Sequence, residues 1–127
     1  QPKAEHLKLY NAAREALEAV ETAMTPASTF GDVFDAHSRT MEAHGLTRHR
    51  LNACGYSVGA RFTPSWMDPQ MFYSGNPESI QPDMTLFAHM IIMDSDTETA
   101  MTLGQTYLTT NGAAVPLSRH SLDIIVK

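Results

Sequence analysis

The chain has 127 residues, the size of one ordinary domain, with 43% apolar and 18% charged residues and seven each of Gly and Pro. That balance is globular and excludes disordered, collagen-like and low-complexity classes. The net charge of −5 (14 acidic against 9 basic residues) argues against a nucleic-acid partner, whose phosphates want a basic stripe. Cys54 is the single cysteine, which rules out an internal disulfide framework and a Cys-based zinc knuckle. No apolar run reaches the ~18 residues of a membrane helix. The longest, around Leu86–Met93, is interrupted by His89. The chain begins Gln1-Pro2, with no initiator Met and no signal segment, so it reads as cytoplasmic and as a piece of something longer.

Leu7, Tyr10, Leu17, Val20 and Met24, with Ala13 and Ala16 between, form one apolar stripe at helical spacing. Pro2 suits a first helical turn and Pro26 a stop, which predicts a helix over 3–24. Thr29 with Asp32 three residues on is a capping arrangement for a second helix. Its stripe is Val33, Phe34, His37 and Met41, and Gly45 ends it. The short Thr25–Ser28 link makes the two helices antiparallel neighbours.

Beyond Gly45 the period changes. Tyr56–Phe62 has strand character, and prolines and glycines from Pro64 to Pro82 mark an irregular connection packed by Trp66, Phe72 and Tyr73. Met84–Met93 is nearly continuous in apolar residues, as in a strand buried on both faces. Met101, Leu103, Gln105, Tyr107 and Thr109 alternate on one side of the next strand. Asn111-Gly112 is a turn signal, and Leu122–Val126 a last short strand. The architecture is α+β: two N-terminal helices packed on a mostly antiparallel sheet, residues 1–127 forming a single domain.

Chemistry-bearing motifs are sparse. Among six histidines no pair stands at i, i+4 around a glutamate, so the helical zinc-protease signature is absent. His44 and His49 fall at the end of the second helix, where a cation complements the carbonyl end. His89 sits inside the most apolar strand; such an imidazole is either a satisfied core residue or a tuned site group. Asp68 either caps a turn or lines a pocket beside Trp66. Cys54 reads as a buried structural thiol, and Met84, Met90, Met93 and Met101 as adaptable core. There is no Gly-rich phosphate loop and no Gly-x-Ser-x-Gly elbow.

Taken in order, several segments carry a resemblance. They are a helix pair ending in His44-Gly45, then Gly55-Tyr56-Ser57-Val58-Gly59, then Phe62-Thr63-Pro64-Ser65-Trp66-Met67-Asp68. Gln81–Phe87 and Leu103–Gly112 follow. This order resembles the C-terminal half of the pita-bread fold of the creatinase, prolidase, aminopeptidase P and methionine aminopeptidase superfamily, over nearly the whole chain. Its Gly-Tyr-Ser-x-Gly variant looks most like an Xaa-Pro peptidase-like branch that includes ectoine-hydrolase-type enzymes.

The resemblance also implies what is missing. Where metallopeptidases of that superfamily carry a metal-binding His, this chain has Tyr56, and a substrate-facing His falls at Thr63. The first metal Glu falls at His89 and the last near Gln105, with no Asp or Glu between Glu98 and Asp123. Two divalent cations need several oxygen ligands, so the expectation is no dinuclear metal and no cofactor. The resemblance to metal-free members such as creatinase then implies C–N bond hydrolysis of a small amide, amidine or Xaa-Pro-like substrate. His89 and Asp68 would be the acid–base pair, Tyr56, Thr63 and Gln105 would position substrate, and Trp66 and Phe62 would form an apolar wall. The partner implied is the N-terminal half of the same protein or a second copy, as a homodimer. The alternative is a catalytically inactive peptidase-like domain used for binding or assembly.

Overall fold

Apolar residues at helical spacing build the first layer. The computed structural model describes residues 1–59 and 67–126, with the backbone course alone for 67–69. Helix α1 runs Ala4–Ala23 and buries Leu9, Ala12, Ala13, Ala16, Leu17 and Val20. The stripe is rotated slightly from the one read off the sequence: Leu9 is inside and Leu7 is exposed. Helix α2, Phe30–Ala43, opens on a complete capping box. The Thr29 N–H donates to Asp32 Oδ2 at 2.8 Å, and the Asp32 N–H donates to Thr29 Oγ1 at 3.1 Å. Gly45, at φ +69°, follows the C-cap residue His44 in the left-handed conformation that a helix end favours.

The second layer is one antiparallel sheet of five strands: β1 Gly55–Val58, β2 Met67–Met71, β3 Thr85–Asp94, β4 Thr99–Leu108 and β5 Val115–Pro116. Their spatial order is β2-β1-β3-β4-β5. The centre is the long β3–β4 hairpin, paired from Thr85↔Leu108 to Asp94↔Thr99. Residues opposite one another share a face. Leu86, Ala88, Met90 and Ile92 therefore join Met101, Leu103, Gln105 and Tyr107 beneath the helices. The edge strands each contain a proline, Pro69 in β2 and Pro116 in β5.

Several sequence expectations change. Strand β3 is not buried on both faces: its even-numbered residues from Leu86 to Ile92 are buried, whereas Phe87, His89 and Ile91 are half-exposed. Its apolar content misled because Phe87 and Ile91 sit on the open face. The connection from Pro64 to Pro82 holds a strand, β2, which pairs with β1 despite Pro69. Leu122–Val126 forms no strand; instead the Leu122 carbonyl accepts a hydrogen bond from the Tyr10 hydroxyl at 3.0 Å. Phe72 packs as read, its ring 5.0 Å from Phe30, whereas Tyr73 is exposed. Among the described residues no helix is long and apolar enough to cross a membrane.

Candidate functional site

The face of the sheet away from the helices carries the candidate chemistry. Tyr56 lies opposite Phe87 across β1 and β3, and Phe87 and His89 are two residues apart on one strand, so strand parity puts all three together. Their ring centroids form a nearly equilateral triangle: Tyr56–Phe87 5.6 Å, Tyr56–His89 5.7 Å and Phe87–His89 5.7 Å. Gly104 faces His89 from β4. A Cβ on Gly104 would stand 2.9 Å from the Phe87 ring, so the missing side chain is what lets that ring lie down beside the imidazole.

His89 is half-buried, and its Nδ1 is buried without a hydrogen-bond partner. Burial pushes its pKa below the ordinary histidine value, so near neutral pH the ring is uncharged and one nitrogen keeps its lone pair. A neutral imidazole beside a hydroxyl-bearing ring, on a face open to a second molecule, can take and return a proton.

The other sequence candidates are placed unequally. Asp68 belongs to β2, beside β1, and its side chain lies outside the described residues. Phe62, Thr63 and Trp66 lie outside them altogether. The register separates Gln105 from the group: it faces Ala88 on the helix-packed side, 6% exposed, with its Oε1 accepting from the Thr106 N–H at 3.2 Å. On the His89 face, β4 presents Thr106 opposite Phe87 instead. Phe87, Gly104 and Thr106 were not picked out from sequence, although parity with His89 already marks Phe87. A cleft of about 480 Å³ between α1 and α2, beside Ala19, Ala23 and Ala36, belongs to the helix layer and not to this face.

The other histidine expectations resolve simply. His44 pairs with Glu15 at 2.7 Å, tying α2 to α1. His49 joins Asp94 and Asp96 near the β3–β4 turn, their ligand atoms lying within 4.8 Å of one another. Arg48 already neutralises Asp96 at 3.0 Å, and Asp94 Oδ1 accepts the N–H groups of Asp96 and Thr97. That is the bonding of a capped turn. The Cys54 thiol is buried, and burial pushes its pKa up, which leaves it inert.

Residues 1–111 match the model of metallopeptidase family M24, and the chain belongs to that family. No curated protein sequence matches it. Its fold is similar to that of dipeptidase PepE from Mycobacterium ulcerans, with a TM-score of 0.88 and 16% identity over 98% of this chain and 32% of that one. It is similar to prolidase from Pyrococcus furiosus, with a TM-score of 0.86 and 15% identity over 95% and 34%. The N-terminal domain of the FACT complex subunit SPT16 from chickpea shares the fold too, with a TM-score of 0.81 and 14% identity over 94% and 30%. The chain thus spans about a third of each of these structures and is half of a pita-bread fold.

A dinuclear metal centre, which the family name evokes, asks for several carboxylate and imidazole donors converging on one point. Among the described strand residues, the open face offers one imidazole, His89, and hydroxyls from Tyr56, Thr85, Thr102 and Thr106. Those described groups include no carboxylate and by themselves do not make up the donor set of two divalent cations; the Asp68 side chain lies outside the described residues.

Proposed function

We propose that this chain is the C-terminal portion of a pita-bread hydrolase unit and supplies one wall of its active site. The reaction is hydrolysis of a C–N bond in a small amide, amidine or Xaa-Pro-like substrate, without a dinuclear metal centre held by this chain. The observation that carries the reading is His89: a neutral imidazole with an unpartnered buried Nδ1, set in an aromatic triangle on the open face. In this mechanism the imidazole takes a proton from water as its oxygen bonds to the scissile carbon. It then hands that proton to the departing nitrogen as the C–N bond breaks. The Tyr56 hydroxyl donates to the substrate oxygen or nitrogen, and Asp68 from the neighbouring strand steadies the imidazolium. The same reading assigns substrate contacts to Phe62, Thr63 and Trp66, which follow β1 in the chain. Membership of family M24 and the likeness of the fold to proteins named dipeptidase and prolidase support the substrate class.

A second reading is a binding domain without turnover. Its support is that the same fold occurs in a domain of the FACT complex subunit SPT16. An open sheet face serves either reading, with the covering partner being the N-terminal half of the protein or a second copy.

The test is turnover of a panel of Xaa-Pro dipeptides and small amides by the protein containing this chain, with and without chelator. His89→Gln should lower kcat by about 10²–10⁴-fold while far-UV circular dichroism stays unchanged. An unchanged kcat removes His89 from the mechanism, loss of activity to chelator overturns the metal-independent reading, and no turnover of any substrate favours the binding domain.

A further inference from the structure

The helix-packed side of the sheet holds a second polar group, which the open-face chemistry does not use. Arg50 forms an isolated antiparallel bridge with Ile92, so its side chain follows Ile92 toward the helix layer. There the guanidinium carbon stands 5.1 Å from the centre of the Phe34 ring. His37, almost one turn further along α2, has its ring 5.5 Å from the same Phe34. The two nitrogen-bearing groups therefore flank one aromatic ring.

Both are left short of partners. His37 is 1% exposed, and its Nδ1 has no hydrogen-bond partner. Arg50 Nε is likewise buried and unpartnered, while its Nη1 donates to the Leu51 carbonyl at 3.0 Å and to Asn52 Oδ1 at 3.5 Å. Among the described residues no carboxylate pairs with Arg50. An orphaned buried N–H costs its desolvation, and with the His37 proton on Nδ1 the two groups around the Phe34 ring offer two such donors. Burial, and after it the neighbouring Arg50 and His89, push the His37 pKa down to about 4, so near neutral pH Arg50 is the charged group of the three. Cys54, the other titratable neighbour of Arg50, stays a neutral thiol. Water would satisfy the hydrogen bonds but bring no charge to pair with Arg50.

We propose that Arg50 and His37 form a binding subsite for a small carboxylate, with Phe34 as its apolar flank. One carboxylate oxygen accepts from Arg50 Nε–H and the other from His37 Nδ1–H. A monoanion is favoured over a dianion because a single permanent positive charge, that of Arg50, faces it. The subsite stands apart from the catalytic reading, since neither Tyr56 nor His89 contacts the ligand.

The test is nuclear magnetic resonance on the ¹⁵N-labelled 127-residue chain near neutral pH, at constant ionic strength, following Arg50 Nε–Hε and the His37 ring nitrogens. Acetate is the probe, acetamide the neutral isostere and inorganic phosphate the competing anion. Acetate should give a saturable shift at both residues and move the His37 titration midpoint upward, while acetamide gives none and phosphate binds more weakly. Arg50→Gln should abolish saturation. Should that variant fail to fold, Arg50→Lys, which keeps the charge but loses the Nε donor, should bind about tenfold more weakly. The proposal is overturned by a response to acetate that never saturates, by an equal response to acetamide, by tighter binding of phosphate, or by full acetate affinity in the variant that folds.

Discussion

Thr109 and Met84 are joined in both directions: the Met84 N–H donates to Thr109 Oγ1 at 2.8 Å, and the Thr109 N–H donates to the Met84 carbonyl at 2.9 Å. The same hydroxyl donates to the Gln81 carbonyl at 2.6 Å, and Thr109 is fully buried. One side chain thus ties the start of β3 to the end of β4. Thr109→Val keeps the shape but leaves the Met84 N–H without its acceptor, at a cost of about 1–3 kcal/mol. Urea denaturation of the variant should show a lower midpoint with an unchanged slope.

Thr29 does the equivalent for α2. Thr29→Ala removes the acceptor of the Asp32 N–H, and the loss should be about 1 kcal/mol, measured the same way. The hydrogen bonds from Thr29 also hold the Asp32 carboxyl below its ordinary pKa. A depressed carboxyl stabilises the fold at higher pH, and that contribution disappears as pH falls through the lowered value. Acid titration of stability should therefore be flatter in Thr29→Ala than in the parent chain.

His37 gives a pH dependence at higher pH. Its pKa falls from 6.5 unfolded to about 4 folded, because burial penalises the charged ring. Between those values the unfolded chain binds a proton that the folded chain does not, so stability rises with pH across the window and falls as the solution is acidified. The full effect is about 3 kcal/mol at most. His37→Leu should remove this slope between pH 6.5 and 4, read by denaturation in a buffer free of carboxylates.

Gly55 is the fourth test. A Cβ there would stand 2.3 Å from the Phe87 carbonyl oxygen and 2.6 Å from the Phe72 ring. Neither can retreat easily, since the carbonyl belongs to the central strand and Phe72 is wedged against Phe30. Gly55→Ala should destabilise by about 3 kcal/mol or more and spread the triangle of Tyr56, Phe87 and His89. Loss of their mutual ring-current shifts would report that second effect.

The helices were legible because their signals are local: Thr29 and Asp32, Gly45, and apolar residues at helical spacing. Strand β4 was legible because its alternation is clean from Met101 to Tyr107. Strand β3 was not, since a face lined by Phe87, His89 and Ile91 reads as buried when only composition is seen. The face that Gln105 occupies was not legible for a related reason. A family order gives position along the chain, but the facing of a side chain depends on register with β3, and one residue of uncertainty reverses it. The pairing of Arg50 and His37 around Phe34 joins residues from α2 and the segment before β1, which no spacing rule connects.

The prolines in β2 and β5 bear on how this domain meets other molecules. Each deletes an N–H from an outer strand, and β5 is only two residues long. A strand added at either margin would find fewer backbone donors than a proline-free strand offers. A molecule laid over the Tyr56, Phe87 and His89 face would meet side chains and their shapes instead of free backbone.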